Sequence, residues 1–282
     1  MASVTGGKTA LDTGTNVVSY VRREFLNFTK DLMGKAGRGG EREVVGISEF
    51  ARDAMRSIAD AYKCSTIKDL LDKANKYLDE QVNALKDLGY EIVINNIFIT
   101  LTRLAIGLRN PYFEILEQGI SWDPIMNLPY IPASSLKGAM RASAEGTQCS
   151  QAFGSMDEAS HVIVLDSYPV YCPSGKSLMT LDIINPHYAE PARTIAEPQV
   201  KPVPVPFLTV STGVGFRVII MAERRRLKYR CRNEPGDYIY LSSDCKGVCT
   251  INDLQSIVTK VFSRGIGAKT ALGYGILEQQ RH

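Results

Sequence analysis

The chain has 282 residues, 44% of them hydrophobic and 22% charged, with a net charge of +3. That length buries a sizeable core in one large domain or two small ones, and so small a charge leaves a polyanion partner to be argued from local clustering alone. No apolar run of about 18 residues and no leader with a basic n-region, apolar h-region and cleavage site is present, so the reading is a cytoplasmic protein without a membrane partner. Residues 1–16 are small and polar, read as a flexible start that is either native or an added leader. Val17 to Met33 reads as a helix, and Gly34 to Gly40 as a flexible basic linker. Ile47, Phe50, Ala51, Ala54, Ile58 and Ala61 share a helix face. A Thr66-x-x-Asp69 box opens another helix carrying Ile67, Leu70, Leu71, Ala74, Leu78, Val82 and Leu85, which stops at Gly89. Residues 17–88 thus form a helical region.

From Tyr90 the pattern changes. Glu91 to Leu104, rich in Ile, Val, Phe and Thr, reads as a long strand. Short extended pieces follow near Ile120–Trp122 and Leu128–Ile131, then a helix from about Ser134 to Ala144. Strands are expected at His161–Leu165, Leu178–Ile184, Val214–Ala222 and Tyr238–Leu241. Thr250-x-x-Asp253 caps a helix from Ile251 to Phe262, and a strand from Tyr274 to Glu278 closes the chain. Strands interleaved with helices after residue 89 give an α+β fold. Eight of the 13 prolines fall between Tyr168 and Phe207, so about 168–207 reads as a projecting insertion rather than core.

Two stretches suggest chemistry. The first holds Gly265, Gly267, Gly273 and Gly275 around Lys269 and Thr270. It fails as a Walker A loop, because Ala268 precedes Lys269 and Ser263 occupies the other glycine position. It fails as a dinucleotide motif, because Thr270 stands where the third glycine belongs. What remains is a phosphate-contacting loop of another kind or a tight turn. In the second, Pro132 sets a turn, Ser134 or Ser135 is a natural N-cap, and Lys137 and Arg141 share a helix face. Such a helix start suits a phosphate or is an ordinary capped surface helix. Arg224-Arg-Arg-Leu-Lys-Tyr-Arg-Cys-Arg232 is either a patch for RNA or an acidic subunit, or a solvated strand edge. The six cysteines are scattered. Cys245 and Cys249 have metal-like spacing but no second pair or nearby His, so reduced intracellular thiols are expected, with no metal and no cofactor.

Ile131-Pro-Ala-Ser-Ser-Leu-Lys-Gly-Ala-Met-Arg141 together with Gly265-Ile-Gly-Ala-Lys-Thr-Ala-Leu-Gly-Tyr-Gly275 resembles the RAMP superfamily of CRISPR-associated RNA-binding proteins. Phe153-Gly-Ser155, Val164 to Val170, Asp182-Ile-Ile-Asn-Pro-His-Tyr188 and Pro202 to Val210 are similar to the Cmr subunit family at the guide RNA 3′ end of type III-B complexes. The likeness covers roughly residues 90–278. Ala133 departs from the common Gly, and the helical region lies outside the motifs. The resemblance implies a ferredoxin-like, RRM-related core spanning 89–282. It also implies an RNA-binding, non-catalytic role in antiviral defence, with guide RNA, target single-stranded RNA and other Cmr subunits as partners. On it, Ser134, Ser135, Lys137, Arg141, His187, Gly265, Gly267, Lys269, Thr270, Gly273 and Gly275 are assigned to RNA, with the loop beside the helix start. Two alternatives stand: an endoribonuclease with His187 as general acid/base, and a docking scaffold with apolar faces around Phe50 and Leu71 left partly exposed.

Overall fold

The computed structural model describes residues 11–36, 47–116, 118–155, 158–184, 204–223 and 237–280, side chains 35, 36, 47 and 247 excepted. Three helices come first: α1 (Val17–Ala36), α2 (Ile47–Ala61) and α3 (Lys68–Asp87). The β-branched run predicted from residue 91 is β1 (Glu91–Thr100), the long inner strand of the main sheet. After it come a two-stranded ribbon, β2 (Trp122–Asp123) and β3 (Leu128–Pro129), then α4 (Ala133–Ala144), β4 (Val162–Val164) and β5 (Tyr168–Tyr171). A hairpin follows, β6 (Met179–Ile184) with β7 (Val205–Val210), and then β8 (Gly215–Ala222). A second small ribbon, β9 (Tyr238–Leu241) and β10 (Gly247–Thr250), leads into α5 (Ile251–Arg264) and β11 (Leu277–Gln279).

The main sheet runs β11-β1-β8, with β4 and β5 both paired to the outer edge of β8, and every pairing is antiparallel. Residues opposite one another share a face, so Phe98 and Phe216 lie on one side and Asn95, Ile97, Arg217 and Tyr168 on the other. The first side meets α5 through Phe98 against Phe262, centroids 4.5 Å apart, and α4 packs on α5. Period-3.6 burial of Leu254, Ile257, Val258, Val261 and Phe262 explains why α5 lies there. Its N-terminus carries the expected capping box: Asp253 N–H donates to Thr250 Oγ1 at 3.2 Å, and Thr250 N–H to Asp253 Oδ2 at 2.9 Å. The second side is covered by α3. Tyr77 meets Tyr168 edge-on, and Arg217 reaches Asn75 Oδ1 (2.8 Å) and Asp79 Oδ1 (2.7 Å) on α3 and Asn95 Oδ1 (2.9 Å) on β1.

Several local expectations change. The Thr66 hydroxyl turns back to the carbonyls of Ala61 and Lys63, so α3 starts at Lys68 with no side-chain cap. Helix α1 continues through Gly34 to Ala36, which shortens the expected linker. Residues 11–16 are anchored rather than loose: Asn16 Nδ2 donates to Pro124 O at 2.6 Å, and Asn127, at φ 56°, accepts from Val17 N–H and donates to Thr15 O. The helical region shares one continuous core with the sheet, through contacts such as Tyr62 on Trp122. Leu71 is buried in that core, and Phe50 stacks on Phe25 and Phe28, so the apolar faces imagined as docking surfaces are mostly spent on packing. The proline-rich stretch is core at both ends, with Tyr168, Met179, Phe207 and Leu208 buried; residues 185–203 between them, His187 included, lie outside the described residues.

The thiols are the largest correction. Cys64 is bonded to Cys172 and Cys149 to Cys249, across sequence separations of 108 and 100, and Cys245 is disulfide-bonded as well. Neither Cys245 nor Cys249 therefore offers a thiolate to a metal. Spacing along the chain could not show this, because each described pair is closed by tertiary structure alone.

Candidate nucleic-acid interface

The glycine loop leaves α5 at Gly265, whose φ of 94° and N–H bond to Phe262 O end the helix. Ile266, buried at 3%, anchors the next step, and its N–H donates to Gly275 O. Ala268 N–H donates to Ala105 O at 2.7 Å, and Gly275 N–H to Arg103 O at 2.8 Å. The loop is thus stitched to the segment that leaves β1. Three of its glycines serve this close approach. A Cβ would stand 2.6 Å from Tyr274 O at Gly265, 2.3 Å from Ala105 O at Gly267 and 2.0 Å from Ile266 O at Gly275. Only Gly273, at φ 85°, has open space beside it. The glycines expected to face a phosphate mostly face protein backbone instead; Thr270 begins a single 3-10 turn, Thr270–Leu272.

Lys269 stands at the tip in a left-handed conformation, φ 61°. Its ammonium lies 4.7 Å from the Phe207 ring centroid and 5.6 Å from that of Tyr274, a cation–π seat that holds the charge in place. Beneath it is a node that reading the sequence missed. Asp182 Oδ2 accepts from Arg103 Nη1 at 2.7 Å and from the Tyr274 hydroxyl at 2.5 Å, while Oδ1 accepts from Ile183 N–H at 2.9 Å. Burial opposes ionisation of Asp182, but these hydrogen bonds outweigh it and hold the carboxyl below its usual range. Each partner's bond to Asp182 raises its own pKa, that of Arg103 and that of Tyr274. No spacing in the sequence links positions 103, 182, 207 and 274.

The helix start is built differently from expectation. Helix α4 begins at Ala133 with Pro132 at the N-cap, and the cap comes from afar: Ala133 N–H donates to Asp166 Oδ1 at 2.7 Å. A carboxylate already complements that end of the helix, which weakens it as an anion cradle. Ser134 and Ser135 sit exposed in the first turn, not at the cap. Lys137 folds back to the carbonyl of Val162 at 3.3 Å, and burial, with the Arg141 charge beside it, lowers its pKa. Arg141 lines a recess of about 430 Å³ with Gly138, Glu145, Gln151 and Ser155.

The loop lies at the end of the sheet where β1 finishes, whereas Lys137 of α4 reaches Val162, which pairs with Ala222 opposite Glu91 at the start of β1. Helix α4 is anchored by Ile131 pairing with Ser167 between β4 and β5, whereas the loop is anchored beside β1 and β11, leaving β8 and β1 between them. Among the described residues no hydrogen bond joins the two, so they are separate places on the sheet rather than a single pocket. His161 contacts Glu158 Oε1 at 3.3 Å and packs on Tyr240, a structural setting. His187 and the basic run 224–232 lie outside the described residues.

Comparison with known proteins gives three findings. The family model of the RAMP superfamily matches residues 97–278. A protein named CRISPR system CMR subunit Cmr6, from Saccharolobus solfataricus, is 33% identical over 212 residues, which is 73% of this chain and 64% of that relative. This chain therefore spans somewhat under two thirds of the relative's length. A chain in the cryo-EM structure of the type III-B Cmr-beta complex bound to cognate target RNA aligns with a TM-score of 0.67 and 25% identity, over 95% of this chain and 91% of that one.

Proposed function

The chain belongs to the RAMP superfamily, and on that footing we propose that it is a non-catalytic, RNA-binding subunit of a type III-B CRISPR effector complex. It binds the guide RNA backbone near its 3′ end and helps to position target RNA. The observation that carries the reading is the loop tip: Lys269 and Arg103 are two cations held on ordered backbone at an accessible end of the sheet. The likeness to a chain of a Cmr complex bound to target RNA supports it. So does the order β1-α4-β4-β8-α5-β11 with strands arranged β11-β1-β8-β4, which favours a ferredoxin-like core. Contact through lysine, arginine and exposed serines is indifferent to base identity, as a guide of any sequence requires. Ser134, Ser135, Lys137 and Arg141 would form one station on the backbone, and Lys269, Thr270 and Gly273 the other. The site is assigned no cofactor. A cytoplasmic location accords with this role.

The test is RNA binding by the full chain at several salt concentrations. The double variant Lys137→Ala, Lys269→Ala is expected to bind more weakly to every sequence, with the slope of log K against log salt reduced by about 0.7 for each lost phosphate contact. Unchanged affinity and slope would remove the assignment. Incubation with guide precursor and target RNA is expected to leave both intact. Cleavage abolished by His187→Ala would replace this reading with the nuclease one.

A further inference from the structure

A site built to hold a polyanion has no electrostatic use for a carboxylate, yet Asp182 lies at the centre of this one. A negative charge there repels phosphodiesters and offsets one of the two cations. Its geometry shows what is gained. The side chain, from β6, ties the segment after β1 to the glycine loop by accepting from both Arg103 and Tyr274 on one oxygen. The Tyr274 ring in turn forms part of the seat of the Lys269 ammonium. Both cations are thus located through Asp182, Arg103 directly and Lys269 through Tyr274. The Arg103 side chain is 48% exposed and spends Nη1 on Asp182, leaving the rest of a planar fork suited to phosphate oxygens. Among the described residues Lys269 has no ion-pair partner.

We infer that Arg103 is a second phosphodiester contact beside Lys269, and that Asp182 is the positioning residue for both. This rests on the RNA-binding reading above. A cation fixed in place before binding loses less side-chain freedom when the phosphate arrives, so the order imposed by Asp182 outweighs its adverse charge.

The test turns on a sign. Binding of fluorescein-labelled oligouridine to the full chain is followed by anisotropy across a salt series. Asp182→Asn adds a net positive charge, so a carboxylate that is only a surface charge predicts binding as tight as wild type or tighter, with an equal or steeper salt slope. That result overturns the inference. The expected result is binding weaker by about tenfold, the equivalent of one charge-assisted hydrogen bond. Arg103→Ala is expected to match it and to lower the slope by about 0.7. Arg103→Lys is expected to keep the slope but recover only part of the affinity. In the Arg103→Ala background, Asp182→Asn is expected to cost less than it does alone. If Asp182→Asn melts below the assay temperature, the Arg103 pair decides: a wild-type slope in Arg103→Ala overturns the inference. Failure of the parent reading looks different, because wild type itself would not bind the probe.

Discussion

Gly267→Ala isolates the reason the loop is rich in glycine. At φ 93° an alanine meets a left-handed penalty of about 1–2 kcal/mol, and its Cβ would stand 2.3 Å from Ala105 O, a distance no real contact adopts. The loop must move away, which breaks or stretches the 2.7 Å bond from Ala268 N–H to the same carbonyl, at a further cost of about 1–2 kcal/mol. The total is about 2–4 kcal/mol. With an unfolding entropy of about 2.1 cal/mol/K per residue, that lowers the apparent Tm of this 282-residue chain by about 3–7 °C. Gly273→Ala is the control. It has φ 85° but open space at the Cβ, so it pays only the conformational penalty of about 1–2 kcal/mol. Differential scanning calorimetry of the two variants beside wild type measures the difference. A Gly273→Ala loss equal to that of Gly267→Ala, or a neutral Gly267→Ala, would refute the view that the loop's glycines are there for backbone approach.

Three further predictions rest on separate features. Replacing Cys149 and Cys249 together by Ala opens a covalent loop of about 100 residues, for which chain entropy predicts a loss of about 4.7 kcal/mol, or about 8 °C in apparent Tm, and a shift below 1 °C would contradict it. Asp182 is held below the ordinary carboxyl value of 3.8, so the stability it contributes is fully present above that pH and is lost as pH falls through its lower folded pKa. Carboxyl NMR is expected to show this titration below 3.8 and to show it rise in Tyr274→Phe; a midpoint at or above 3.8 in wild type contradicts the network. Arg217→Ala removes the tie between α3 and the sheet and leaves Asn95 and Asn75 short of a donor, at a cost of about 1–3 kcal/mol by urea unfolding. In a double-mutant cycle its coupling to Asp79, which is half-exposed, is expected to account for less than about 1 kcal/mol of this.

What was legible in the sequence is what depends on near neighbours. Helix α5 is signalled by periodic Leu, Ile, Val and Phe and by a cap three residues away, and both survive folding. Strand β1 follows from a dense β-branched run that only a sheet buries on both faces. The failures share one physical cause, a decisive partner far along the chain. Thr66 had the spacing of a cap but found closer carbonyls behind it. Helix α4 takes its cap from Asp166, on the connection between β4 and β5, so the serines that resembled caps are left facing outward. The Asp182 node joins three elements whose positions on the chain bear no fixed relation. The lysine, glycine and serine motifs mark two stretches of the chain, but where each lies on the sheet is set by strand pairings that no local pattern carries.

The two described disulfides interleave, since Cys149 lies within the span closed by Cys64–Cys172, and Cys172 within that closed by Cys149–Cys249. Any single break in the main chain between residues 64 and 249 therefore leaves the two fragments covalently joined, by one bridge or the other. A protease that nicks the chain once within that span produces a molecule of unchanged mass apart from one added water. The cut is revealed on a denaturing gel only after reduction. For the proposed role of holding a guide RNA in register, this arrangement separates wear of the chain from loss of the part.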